Sequence, residues 1–75
     1  MKERLLENLK QSLPEIVSRK EAEKRTGGLI KARTLANKDS LGEGPAQRLK
    51  LGRLVAYPRD SFVEWLGLQL EVDNA

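Results

Sequence analysis

Two clusters of hydrogen-bond donors define what chemistry this sequence can do. Lys31, Arg33, Thr34, Asn37 and Lys38 fall in one short stretch, and Arg48, Lys50 and Arg53 follow after a break rich in glycine and proline. At about 100° per residue, a helix over residues 31–40 turns the first set and Ser40 to one half of its surface. Ala32, Leu35, Ala36 and Asp39 share the other half. Arginine and asparagine can each make paired hydrogen bonds to base edges, while lysine and threonine suit phosphate oxygens. In the second set Arg48 and Lys50 alternate with Leu49 and Leu51, the period of a strand with one cationic and one apolar surface. A second run, Leu54-Val55-Ala56-Tyr57, joins it through Gly52-Arg53, and glycine supplies the positive φ of a two-residue turn. Arg53 is thereby carried at the outermost point of a ribbon. This is the chemistry of binding a polyanion, not of breaking bonds.

Composition narrows the choice further. The chain has 75 residues with no cysteine and no histidine, so disulfides, thiolate metal sites and the commonest general base are all missing. A chain this short buries only about 60% of its unfolded surface and offers little room for a substrate pocket. We expect no enzyme, no metal and no cofactor. No stretch approaches the roughly 18–20 apolar residues of a membrane span, and MKERLLENLK is too charged for a signal peptide. The expected location is cytoplasmic, without a membrane partner.

Net charge is +3, unevenly spread. Residues 30–60 carry Lys31, Arg33, Lys38, Arg48, Lys50, Arg53 and Arg59 against Asp39, Glu43 and Asp60, whereas residues 61–75 carry only Glu64, Glu71 and Asp73. The positive charge sits on the helix-plus-ribbon segment, as a phosphate footprint would.

Other elements must hold these donors in place. Leu5, Leu6, Leu9 and Leu13 recur at helical spacing until Pro14, giving an N-terminal helix over residues 3–12 whose leucine stripe packs on the domain or on a second copy. Glu15-Ile16-Val17 reads as a brief extended segment. Ser18-Arg19-Lys20-Glu21 then has the form of a capping box, with Glu21 reaching back, and starts a helix that Gly27-Gly28 stops. Ala22 supplies nearly all of that helix's inward surface. Asp39 is a misfit, a carboxylate on the inward side at a helix C-terminus, where the dipole disfavours it. It should accept amides of the following loop or pair with a basic ribbon residue. The ribbon's apolar surface should rest on the helices, because an isolated hairpin is not stable. Pro58 suits the first turn of a last helix, and Phe62 and Trp65 should form the centre of the core.

A helix followed by a basic ribbon is the layout of a winged helix-turn-helix. The expected fold is therefore α+β, with about four helices (one N-terminal, two in the helix-turn-helix, one after the wing) and a two-stranded antiparallel wing. Residues 1–14 are read as an amphipathic helix, 15–70 as the DNA-binding domain and 71–75 as a frayed tail.

The residues Val17-Ser18-Arg19-Lys20-Glu21-Ala22, Gly27-Gly28-Leu29-Ile30, Arg33-Thr34-Leu35-Ala36-Asn37, Asp39 through Pro45, Leu51-Gly52-Arg53, Tyr57-Pro58 and Trp65-Leu66 together resemble a known group. They are similar to the small MerR-like winged helix-turn-helix proteins, which include phage excisionases (recombination directionality factors) and AlpA-type prophage regulators. The likeness covers roughly residues 15–67. It implies Arg33, Thr34 and Asn37 in or beside the major groove and Arg53 on the minor groove or its backbone. Lys31 stands where such helices usually start with a Ser-type cap. Lys38 stands where the group often has an apolar residue, and adds a phosphate contact. The partners implied are double-stranded DNA, an integrase and neighbouring copies of the chain. A transcription regulator with the same DNA-binding surface is the alternative, and a protein-interaction module on the same scaffold is a second.

Overall fold

Helix α1 (Lys2–Ser12) opens the chain, followed by β1 (Ile16–Ser18), α2 (Arg19–Arg25), α3 (Ala32–Ser40), β2 (Leu49–Leu51), β3 (Leu54–Pro58) and α4 (Arg59–Gln69) in a computed structural model that describes residues 1–73. The architecture is α+β. The strands form one antiparallel sheet in the order β1-β3-β2. No helix among the described residues is long and apolar enough to cross a membrane. Glu71, Val72 and Asp73 are exposed and belong to neither helix nor strand, and residues 74–75 of the expected tail lie outside the described residues.

Local chemistry accounts for the helix boundaries. Ser18 Oγ accepts the Glu21 amide at 3.0 Å and starts α2. Glu21 does not complete the box: its carboxylate accepts from Arg25 Nε at 2.6 Å, one turn on. That charged bond holds the Glu21 carboxyl below its ordinary range, and a charge-assisted contact outcompetes a bond back to a neutral amide. At the start of α3 Lys31 gives no side-chain cap. Instead Glu23 of α2 accepts the Ala32 amide at 2.8 Å, so the preceding helix caps the next one.

The core comprises Leu13, Val17, Ala22, Leu35, Tyr57, Phe62, Trp65 and Leu66, with Leu6, Leu9, Ile30, Val55 and Val63 packed around it. Phe62 is fully buried, and its ring lies 6.3 Å from both Tyr57 and Trp65, which joins β3 to α4 through an aromatic row. Trp65 Nε1 donates to the Glu43 carbonyl at 2.8 Å and so ties α4 to the loop after α3. Helix α1 packs on the chain's own α4 through Leu6 and Leu9 while Leu5 stays exposed, and Lys2 Nζ donates to the Leu70 carbonyl.

Three expectations need correction. The sheet has three strands, because the extended segment before α2 pairs with β3 in the register Ile16↔Pro58, Val17↔Tyr57 and Ser18↔Ala56. The ribbon's leucines do not rest on the helices: Leu49, Leu51 and Leu54 are 42%, 80% and 73% exposed. The β1 ladder anchors the hairpin at its base, so the tip projects without needing an apolar floor. Pro58 closes β3 and caps α4 instead of sitting in its first turn, because pairing with Ile16 keeps it extended while the Arg59 amide is taken by the Glu15 carbonyl at 2.8 Å.

Candidate nucleic-acid interface

Helix α2 packs against α3, with Ala22 and Leu35 fully buried between the helices and the sheet. That burial fixes which side of α3 remains open. Arg33, Asn37 and Ser40 are exposed, Ala32 and Ala36 half-buried, and the side chain of Asp39 is only 5% exposed. The β2–β3 hairpin turns through Gly52-Arg53 between the paired residues Leu51 and Leu54. Gly52 takes φ +62° and Arg53 a negative φ, so the turn needs glycine at its first position and tolerates arginine at its second.

A groove runs between α3 and the hairpin, mainly apolar beside Ala32, Leu54 and Val55 and polar toward Arg48 and Lys50. Arg33, Ala36 and Arg53 line one stretch of it, and Ala36, Ser40, Arg48, Lys50 and Arg53 line the next. Four of the eight expected site residues thus share one concave surface: Arg33, Arg48, Lys50 and Arg53. The other four do not wall this groove. Asn37 and Lys31 are exposed on α3 and at its cap, and Thr34 is half-buried. Lys38 is half-buried too, and its Nζ lies 3.6 Å from Glu43 in the following loop. The ring of six donors expected on α3 is therefore narrower than periodicity alone implies, because the turn after α3 folds back beside Lys38.

Arg19 is a groove residue that sequence reasoning missed. Its Nη2 donates to Asp39 Oδ2 at 2.6 Å, and its Nε donates to Tyr57 Oη at 3.0 Å. Tyr57 Oη donates in turn to Asp39 Oδ2 at 2.6 Å, which closes a triangle linking α2, α3 and β3. The buried carboxylate thus finds Arg19 and Tyr57 as its main partners, with Arg48 beside the ribbon 3.8 Å from Oδ1. Only the last was expected in kind. Asp39 was itself the signal, since a buried carboxylate demands a donor, but nothing local in the sequence pointed twenty residues back to Arg19.

Electrostatics follow from this geometry. Burial acts to lower the Arg19 pKa, but the bonds to Asp39 and Tyr57 outweigh it and the net shift is upward. Burial, reinforced by donation to Asp39, pushes the Tyr57 phenol up to about 12 from an ordinary 10.0. Tyr57 is the sole tyrosine, so tyrosinate absorbance reports on it alone. Because the folded pKa exceeds the unfolded one, the stabilisation is complete below pH 10 and is lost as pH rises toward 12. We expect native protein to titrate near 12 and urea-unfolded protein near 10, with alkaline stability falling in that window and less steeply in Tyr57→Phe. Native titration near 10 would show that the triangle is not formed.

Compared with known proteins, the chain matches no family model, no curated protein and no solved structure.

Proposed function

We propose that this chain is a sequence-specific double-stranded-DNA-binding protein of the winged helix-turn-helix type, with a role like that of a prophage excisionase. In this reading α3 enters the major groove, where Arg33 and Asn37 meet base edges, and the β2–β3 wing lies along the neighbouring minor groove with Arg53 at its tip. Arg48 and Lys50 take phosphates. The observation that carries the reading is that Arg33 and Arg53, from separate elements, line one groove, while Glu64, Glu71 and Asp73 are not among its lining residues. A single module of this size makes few contacts, so useful affinity would come from adjacent copies on repeated sites.

The test is titration of labelled duplexes at rising salt, with targets drawn by selection from a random pool. If Arg48, Lys50 and Arg53 each neutralise one phosphate, the logarithmic salt dependence should have a slope of about −3. Selection should return a defined motif. Absence of binding, or binding indifferent to salt, would refute the proposal.

A further inference from the structure

Asp39 places a negative charge in a groove whose other charged lining residues are all cations, and it treats its two arginines unequally. Its Oδ2 accepts from both Arg19 and Tyr57 at 2.6 Å. Its Oδ1 faces Arg48 Nη1 at 3.8 Å, beyond hydrogen-bond length. The Arg19 side chain is 24% exposed and that of Arg48 45%. Asp39 Oδ1 fills the space that a Cβ at position 44 would take, so the loop can pass this close to the carboxylate only because residue 44 is glycine.

We propose that Asp39 is a built-in competitor of phosphate. It fixes Arg19 on the groove floor and holds Arg48 loosely, and an incoming phosphate oxygen takes Arg48 from it while Arg19 stays. The inference rests on the DNA-binding reading above. A long, half-exposed ion pair is weak and exchanges readily, whereas a short charged bond braced by a phenol does not. The consequence concerns affinity. Phosphate neutralisation contributes to binding of any duplex, so one internal carboxylate lowers affinity for every sequence, while the base contacts of α3 are left unchanged. Asp39 acts here as a positioning residue working through Arg48.

The experiment compares the full chain with Asp39→Asn, Arg48→Gln and the double variant, against a random-sequence duplex and a selected one, across salt. Asp39→Asn should bind the random and the selected duplex several-fold more tightly, a gain of affinity that structural damage would not produce. Arg48→Gln should flatten the salt slope by about one, and in its presence the Asp39→Asn gain should vanish. Equal or weaker binding by folded Asp39→Asn overturns the proposal, as does a gain that persists without Arg48. Should Asp39→Asn fail to fold, Arg48→Gln decides: an unchanged slope means that phosphate never takes Arg48. Wild-type binding with these outcomes leaves the DNA-binding reading standing, whereas no wild-type binding overturns both.

Discussion

Trp65→Ala should leave most of the chain unfolded at room temperature. The indole is 6% exposed and packs beside Phe62, and truncating a buried aromatic costs about 3–5 kcal/mol. A chain this short buries little surface and sits at the low end of the usual stability per residue, about 4 kcal/mol in total. The loss extends beyond the cavity. Trp65 Nε1 holds the Glu43 carbonyl, so the loop that passes Gly44 against Asp39 loses its tether to α4. Far-ultraviolet circular dichroism against urea measures the effect, with a midpoint near or below zero denaturant expected. A variant that melted cooperatively but had lost only DNA binding would move Trp65 from the core to the interface.

The triple variant Arg33→Ala, Asn37→Ala, Arg53→Ala should abolish measurable DNA binding without unfolding the chain. All three side chains are exposed and none takes part in the core or in the Asp39 triangle, and surface changes of this kind usually alter stability by less than about 0.5 kcal/mol. On the proposed reading Arg33 and Asn37 each contribute about 1–3 kcal/mol through base contacts, and Arg53 about one unit of salt slope. Loss of about 30-fold or more follows from the first two alone, as read by anisotropy of a labelled duplex. Among single variants, Asn37→Ala should relax sequence preference, whereas Arg53→Ala should weaken all sequences alike. Retained binding by the folded triple variant would favour the interaction-module reading.

What could be read from the sequence was whatever short-range rules govern. The Ser18 cap, the turn at Gly52-Arg53, the inward Leu35 of α3, and the core pair Phe62 and Trp65 follow from spacing and local geometry. What escaped was set by contacts distant in the chain. Periodicity cannot show that Ile16–Ser18 will pair with β3, or that this ladder frees the hairpin leucines from any need of burial. It cannot show Glu23 capping α3 from another helix. Tyr57 looked like one more strand residue, yet its ring completes the aromatic row and its hydroxyl completes the triangle. The candidate site was legible to the extent that Arg33, Arg48, Lys50 and Arg53 converge on one groove. Arg19 was not, because a residue at the start of a capped helix looks the same in sequence whether it faces water or a carboxylate on the next helix.

The most direct test of the central claim is backbone amide chemical-shift mapping of the labelled protein during titration with a selected duplex. The expected perturbations concentrate at Arg33, Ala36, Asn37 and Ser40 on α3, from Arg48 to Arg53 on the hairpin, and at Arg19 between them, with α1 and the acidic residues Glu64, Glu71 and Asp73 unmoved. Perturbations confined to the Leu5–Leu9 side of α1 and α4, or on α3 without the hairpin, would contradict it.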